Sequence, residues 1–249
     1  MTGEDPRDWF WSPAPGGNAA VALVCLPGLG GDAGLFRGWQ ERLPPGVRLH
    51  AARLPGRPSR LSEPPIEDPA ELTARLAGAV LALPEEQIVL FGYSMGAAHA
   101  YEAARALAAA DRPPGALAVA ARGAPDAAAP PFGRRTRPEL VALLRDLGLT
   151  PPEVLADPAL LDLVLPSVRA DLLLADRYSP VDGAPVECPL LALAGAADPL
   201  WPVDGVRGWA RYTRGGFTLH VLPGGHDLLA AGGPAAGRVG QFVLEATSR

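Results

Sequence analysis

The pentapeptide Gly-Tyr-Ser-Met-Gly at residues 92–96 decides the fold, because it is a G-x-S-x-G motif that joins two contrasting patterns. Residues 88–91, Ile-Val-Leu-Phe, form a short apolar run typical of a strand that is buried on both faces. Residues 97–110 are rich in alanine and favour a helix. A serine on a sharp turn between a strand and a helix is raised above the sheet. The pattern therefore predicts that Ser94 is a nucleophile, and the alternative is a serine in an ordinary turn.

Strand patterns and helix patterns also alternate along the chain on both sides of this motif. Further strands are predicted by apolar runs at residues 21–26, 47–53, 117–121, 190–194 and 217–222, and helices by the patterns at residues 34–43, 70–83 and 235–245. Strands that alternate with helices indicate an α/β fold with a mostly parallel central sheet flanked by helices. We expect loops at residues 1–20 and 55–69, where Pro, Gly and polar residues are concentrated.

Residues 130–185 interrupt this alternation. They carry no strand pattern, and the segments 137–147, 151–157 and 160–178 have helical periodicity with proline breaks. We predict that they form a helical insertion over the sheet. Because a chain of 249 residues with 48% hydrophobic residues can bury one ample core, residues 1–249 are expected to form a single domain.

Composition and charge argue against several classes of function. The formal net charge is -5 and all 22 positively charged residues are arginines, so no overall basic field favours nucleic acid. The sequence has no run of about 18 apolar residues and begins with an acidic segment, so neither a membrane span nor a secretory signal is predicted. The four histidines contain no H-x-x-x-H pair, and Cys25 and Cys188 are expected to be packed thiols, so no metal site is predicted. A cytoplasmic protein is expected.

A serine hydroxyl is a weak nucleophile and needs a histidine base that a carboxylate orients. His226 is the candidate base, because it follows an apolar strand in the loop sequence Pro-Gly-Gly-His. Asp198 is the candidate carboxylate, because it follows the strand at residues 190–194 directly. Asp204 is the second candidate for the carboxylate. Asp227 is adjacent to His226 in sequence, which is a poor geometry for a hydrogen bond with Nδ1 of the imidazole. The other histidines lie in predicted strands or on the helix after the serine: His50, His99 and His220.

The tetrahedral intermediate of acyl transfer needs two backbone N–H donors for its oxyanion. Met95, the residue after the nucleophile, is predicted to supply the first donor. Leu29 is predicted to supply the second, since it lies in a glycine-rich loop at residues 28–31 after the first long strand. The alternative for this loop is a simple glycine turn.

The same loop also permits a different class of function. Residues 28–33, Gly-Leu-Gly-Gly-Asp-Ala, match the G-x-G-x-x-A pattern of dinucleotide-binding folds. The acidic residue expected about 20 positions further along is missing, and His50 and Arg53 end the second strand instead. An NADP-dependent oxidoreductase is therefore the remote alternative.

Taken together, these residues resemble a type II thioesterase, the free-standing α/β-hydrolase that serves polyketide synthases and nonribosomal peptide synthetases. The resemblance covers nearly the whole chain. Beyond the motif around Ser94, it rests on short family-like stretches at residues 54–57, 63–64, 100–102, 169–171 with Tyr178, 188–189 and 224–226.

The resemblance implies hydrolysis of acyl thioesters on the phosphopantetheine arm of an acyl or peptidyl carrier protein, without a metal or other cofactor. It implies that residues 130–185 are a helical lid. The carrier is the expected partner, and the protein is expected to be a monomer. Editing of stalled acyl groups and dedicated release of a product both remain open. So do a general carboxylesterase and a non-catalytic carrier-binding module.

The chain departs from the family pattern at a few positions near the predicted site. Tyr93 stands where histidine is more usual, and Ala120 and Asp126 stand where the family more often has serine and histidine. An aromatic pair is usual at residues 227–228; here Asp227 would favour imidazolium if it faces the site and would have no effect if it faces solvent. Three arginines near the lid are candidates for docking an acidic carrier: Arg134, Arg135 and Arg137.

Overall fold

A single seven-stranded sheet organises the chain. The computed structural model describes residues 6–13, 19–127, 135–148, 150–179, 185–229 and 234–248. The strands are β1 (Phe10–Trp11), β2 (Val21–Leu26), β3 (Val47–Ala52), β4 (Gln87–Tyr93), β5 (Ala116–Ala120), β6 (Leu190–Gly195) and β7 (Phe217–Leu222), in the spatial order β1-β3-β2-β4-β5-β6-β7. Only β1 pairs antiparallel, with β3, and the other pairs are parallel. The predicted α/β fold with a mostly parallel sheet is confirmed.

Helices cover both faces of this sheet. They are α1 (Pro69–Leu81), α2 (Met95–Ala109), α3 (Arg137–Leu147), α4 (Pro152–Ala156), α5 (Pro158–Arg177), α6 (Val203–Arg207) and α7 (Ala235–Thr247). Alternate residues of β2 contribute to two separate cores. Ala22 and Val24 pack with residues of α1 and α2, whereas Leu23 and Cys25 pack with residues of α7. This two-sided burial explains why the strands read as continuous apolar runs.

The helices α3, α4 and α5 lie between β5 and β6 in the chain, where the sequence predicts a helical insertion. The helix α5 runs through Pro166 without a break, in agreement with the helical periodicity of residues 160–178. Leu161 and Leu165 before the proline and Val168 after it are all buried in one cluster with α3. We attribute the continuity to this packing on both sides of Pro166, which offsets the roughly 3 kcal/mol that a proline costs inside a helix.

Two expectations from the sequence are wrong. Residues 34–43 form two short 3-10 segments, Ala33–Phe36 and Gln40–Arg42, instead of one helix. Gly38 lies between them with a φ of +77°, a left-handed conformation that ends a helix. Residues 1–20 were expected to be loop, but β1 lies there, and a two-residue edge strand is too short to give a periodic signal.

None of the helices in the described ranges combines the length and the apolar character needed to cross a bilayer. Both cysteine thiols are free and buried, as expected for packed thiols.

The close backbone contacts of the glycines around the serine turn should contribute to the free energy of unfolding. A Cβ on Gly92 would lie 2.3 Å from the carbonyl oxygen of Gly96, and that backbone cannot move aside. We expect Gly92→Ala to lower the free energy of unfolding by about 3 kcal/mol. The matched control is Gly78→Ala on α1, where a Cβ meets nothing within 4 Å. This control should raise stability by about 0.5–1 kcal/mol. Urea unfolding of both variants measures the difference, and equal stabilities would contradict the close approach.

Candidate active site

Ser94 lies on a strained turn between β4 and α2, at the centre of the sheet. Its backbone has φ +52° and ψ -120°, a conformation rare for a residue with a side chain. The Ser94 amide donates a hydrogen bond of 2.8 Å to the carbonyl of Ala120, at the end of β5. Gly96 allows α2 to start against the end of β2, because a Cβ there would lie 2.5 Å from the carbonyl oxygens of Leu26 and Pro27. These contacts hold the hydroxyl above the carboxyl edge of the sheet.

The structure brings three of the predicted site residues into one hydrogen-bonded line. The Oγ of Ser94 lies 2.9 Å from Nε2 of His226, and Nδ1 of His226 lies 2.9 Å from Oδ2 of Asp198. All three side chains are buried, with residue exposures of 9%, 6% and 7% for Ser94, His226 and Asp198. Such a line keeps one imidazole nitrogen facing the hydroxyl and the other facing the carboxylate.

Asp198 is built to remain ionised. Its second oxygen, Oδ1, accepts hydrogen bonds from the amides of Leu200 at 2.9 Å and Trp201 at 3.2 Å. Burial alone would raise the pKa of Asp198, but the hydrogen bond and charge of His226 and these two amides together lower it. A carboxylate in this position fixes the orientation of the imidazole.

Glycines allow the His226 loop to approach β6. A Cβ on Gly195 would lie 2.1 Å from the carbonyl oxygen of Gly225, and Gly224 has a φ of +108°. Tyr93 adds a second restraint, because its hydroxyl donates a 2.9 Å hydrogen bond to the carbonyl of His226. Burial raises the pKa of Tyr93, so the phenol keeps its proton and remains a donor. The departure from histidine at this position therefore supplies a support for the base.

The two candidate oxyanion donors belong to backbone segments next to Ser94. Met95 is the first residue of α2. Leu29 lies in a turn that the Gly31 amide closes with a 3.0 Å hydrogen bond to the carbonyl of Gly28. A Cβ on Gly28 would lie 3.1 Å from the Cβ of Ser94, so a side chain at this position would require Ser94 or the loop to shift by a few tenths of an ångström.

A residue that the sequence analysis left without a role holds this loop from above. Asp171, on α5, is 1% exposed. Its Oδ2 accepts a 2.7 Å hydrogen bond from the amide of Gly30, and its Oδ1 accepts a 2.5 Å hydrogen bond from Nη2 of Arg57. Residues 54–57 and 169–171 carried the family resemblance, but the contact spans 141 positions of the chain and no local pattern reports it. Asp171 therefore connects the helical insertion to the peptide that follows Leu29.

The other candidates from the sequence lie elsewhere. The side chain of Asp204 is 97% exposed and faces Arg207, and Asp227 is exposed. His50 lies between Ser12 and Glu85, away from the serine. No group of three or more His, Cys, Asp or Glu side chains in the described ranges is placed to hold a metal ion. The glycine loop leads into a four-residue 3-10 segment, so it lacks the helix on which a dinucleotide-binding loop depends.

The lid arginines differ in their surroundings. Arg137 donates to the carboxylate of Asp162 and to the carbonyl of Pro158. Arg135 is close enough to Glu139 to act on its charge. Arg134 lies outside the described residues. Asp126, one of the departures from the family pattern, pairs with Arg211.

A mostly parallel sheet with a serine on a strand–helix turn, hydrogen-bonded to a histidine in the loop after the last strand, defines an α/β-hydrolase. A family model described as the thioesterase domain matches residues 21–236. The thioesterase PikA5 of Streptomyces venezuelae is 39% identical over 221 residues, which are 87% of this chain and 78% of that protein.

Solved structures give the same result. The type II thioesterase BorB from the borrelidin biosynthetic cluster is 34% identical, with a TM-score of 0.85 over 96% of this chain and 97% of that chain. The thioesterase RedJ from the prodiginine pathway of Streptomyces coelicolor is 36% identical, with a TM-score of 0.82 over 92% of this chain and 91% of that chain. The chain belongs to the thioesterase family, and it is a hydrolytic enzyme related to the type II thioesterases of polyketide and nonribosomal peptide pathways.

The contact between Asp171 and Gly30 makes a kinetic prediction. Asp171→Ala should lower kcat for thioester hydrolysis by about tenfold to a hundredfold with little change in KM, because a loosened Leu29 amide weakens stabilisation of the transition state alone. Steady-state kinetics on one acyl thioester, with urea unfolding to verify the fold, measures this effect.

The control is Asp162→Ala, on the same helix, where the carboxylate is exposed and pairs with Arg137. This variant should keep the kcat of the unmodified protein. Asp171→Asn retains an acceptor for the Gly30 amide, so its kcat should lie between those of Asp171→Ala and Asp162→Ala. A folded Asp171→Ala variant with unchanged kcat would show that the loop does not depend on α5.

Proposed function

We propose that this chain hydrolyses acyl thioesters on the phosphopantetheine arm of acyl or peptidyl carrier proteins, as a type II thioesterase of polyketide or nonribosomal peptide biosynthesis. The observation that carries the proposal is the unbroken line from Ser94 through His226 to Asp198, at 2.9 Å for each contact. It supports acyl transfer to serine, and membership of the thioesterase family supports a thioester as the substrate.

In the first half of the proposed reaction, Nε2 of His226 takes the proton of the Ser94 hydroxyl as Oγ attacks the thioester carbonyl. The carbonyl π electrons move to oxygen, and the amides of Leu29 and Met95 donate hydrogen bonds to this oxyanion. When the oxyanion collapses, the C–S bond breaks. The pantetheine sulfur takes the proton that His226 carried and leaves as the thiol, and the acyl group remains as an ester on Ser94.

In the second half, a water molecule replaces the thiol. His226 takes a proton from this water as its oxygen attacks the ester, and the same two amides stabilise the second oxyanion. Collapse returns the proton to Oγ of Ser94 and releases the carboxylic acid. Throughout the cycle Asp198, held ionised by its hydrogen bonds, orients the imidazole and stabilises its positive form.

The remaining parts of the proposal concern access and setting. Residues 130–185 act as a helical lid on a single domain spanning residues 1–249, and their contact with the glycine loop through Asp171 supports this role. An acidic carrier protein is the proposed partner, docking near the lid arginines Arg134, Arg135 and Arg137. The steps use only groups of this chain, so we propose no cofactor. The proposed setting is a reducing cytoplasm, consistent with the buried free thiols of Cys25 and Cys188.

Within this function, we favour editing of stalled acyl groups over dedicated release of one product, because the solved structures similar to this chain include the type II thioesterases BorB and YbtT. A carboxylesterase is the second candidate, since the same triad cleaves oxygen esters. A carrier-bound thioester and a p-nitrophenyl ester of the same acyl group distinguish the two activities.

Ser94→Ala tests the nucleophile. It should lower turnover of an acyl-carrier thioester by at least about 10⁴-fold and leave the unfolding curve unchanged or slightly shifted, because only the reacting oxygen is lost. Release of free acid from purified acyl carriers, over a panel of chain lengths, is the measurement. A variant that retains most of its activity would contradict the assignment of Ser94, and strong preference for the p-nitrophenyl ester would favour the carboxylesterase.

Asp198→Asn tests the carboxylate against the fallback residue. The amide cannot orient the imidazole in the same tautomer, so kcat should fall by about 10³- to 10⁴-fold. Asp204→Asn, six positions further along and exposed, is the matched control and should keep its kcat. If the two variants were equally active, Asp198 would not be the triad member.

A further inference from the structure

Three basic side chains are buried together in the described part of the structure, and the proposed mechanism uses none of them. Arg57 follows β3, His99 lies on α2, and Arg122 follows β5; we call them the basic cluster. Their residue exposures are 2%, 3% and 7%. Basic side chains are seldom buried to this extent unless they bind a partner.

Each member of the basic cluster is connected to Ser94 or to the Leu29 loop by a different part of the chain. His99 is five residues further along α2, which is about 7 Å along the helix axis. Arg122 is two residues beyond Ala120, whose carbonyl accepts the Ser94 amide. Arg57 is bonded to Asp171, which holds the loop of Leu29. The backbone segments that carry the basic cluster are therefore connected to the Ser94 turn or to the Leu29 loop.

The basic cluster contains most of the unsatisfied polar atoms in the described part of the chain. Five buried side-chain nitrogens and oxygens there have no hydrogen-bond partner, and four of them are Nε and Nη1 of Arg57, Nε2 of His99 and Nε of Arg122. A buried polar atom without a partner destabilises the folded protein, so four such atoms on these three side chains indicate a site for a polar ligand.

Within the described ranges, carboxylates neutralise the charges of the basic cluster only in part. Asp171 faces Arg57 but also accepts from Gly30. The Arg122 guanidinium lies over the rings of Tyr178 at 5.8 Å and Trp201 at 5.3 Å, and no described carboxylate forms an ion pair with it. The nearby Glu102 is occupied, since it accepts from Tyr178 and pairs with Arg105. Excess positive charge favours an anionic ligand.

His99 is suited to donate to such a ligand without adding charge. Burial, with the positive charges of Arg122 and Arg57, lowers the pKa of His99 to about 3, so the imidazole is neutral near pH 7. Because the positive charges of both arginines contribute to the lowered pKa of His99, the three groups share one electrostatic environment. A neutral imidazole with a free Nε2 can donate one hydrogen bond to an oxygen.

We propose that the basic cluster binds the carboxylate of an acyl group that ends in a carboxylate, so that short dicarboxylic acyl thioesters are preferred substrates. The proposal rests on the proposed function. The phosphate of the pantetheine arm is a poor occupant, because it lies at the far end of the arm from the thioester that must reach Ser94. The acyl group, in contrast, is attached directly to the carbonyl that Ser94 attacks, so the far end of a short acyl chain stays within a few bonds of the reacting carbon.

The test compares chain-matched thioesters of N-acetylcysteamine, in which the acyl carboxylate is the only charge. The pairs are succinyl with butyryl and glutaryl with pentanoyl. The unmodified protein should favour a dicarboxylic member of at least one pair in kcat/KM. In Arg122→Gln, that preference should fall by about tenfold or more, because a charge-assisted contact is lost. Arg145→Gln, at an exposed position on α3, should keep the preference.

The outcomes separate this proposal from the function on which it rests. If the unmodified protein hydrolysed none of these thioesters, the proposed function would be overturned. Hydrolysis that favours the neutral acyl group, or a preference that Arg122→Gln leaves unchanged, would show that the basic cluster holds only water. If Arg122→Gln does not fold, His99→Leu gives the same comparison, with a smaller fall in preference expected and an unchanged preference overturning the proposal.

Discussion

The left-handed backbone of Ser94 is the constraint on which the site depends. A residue with a side chain holds a φ of +52° only when its surroundings compensate for the strain. Here the compensation comes from Gly92 and Gly96, which let β4, α2 and the end of β2 approach to distances that a Cβ would prevent. The hydrogen bond from the Ser94 amide to Ala120 ties the turn to β5. Fixing the turn in this way fixes the position of the hydroxyl.

The other groups converge on this hydroxyl because parallel strands end at one edge of the sheet. Asp198 follows β6 and His226 follows β7, and the glycines of the histidine loop bring the two together. The helical insertion takes part through Asp171, which reaches down from α5 to the loop that holds Leu29. In the proposed mechanism, a displacement of α5 would therefore disturb the proposed oxyanion donor Leu29 as well as substrate access under the proposed lid.

Much of this arrangement could be predicted from the sequence because its signals are local. The strands read as apolar runs, and Ser94, Asp198 and His226 each lie within four residues of the end of such a run. The prediction of a helix at residues 34–43 was wrong because Gly38 takes a left-handed conformation. The strand β1 was missed because two residues are too few to show periodicity. Asp171 and the basic cluster could not be found, because their contacts join residues far apart in the chain and depend on how α5 packs over the sheet.

The central claim is that an acyl group passes through an ester on Ser94. The most direct measurement is rapid quenching of the enzyme during its first turnover with an acyl carrier, followed by digestion and mass spectrometry of the peptide that contains residues 92–96. This peptide should gain the mass of the acyl group on Ser94 before free acid accumulates. Release of acid in the first turnover with the acyl group on another side chain, such as Cys25 or Cys188, would contradict it.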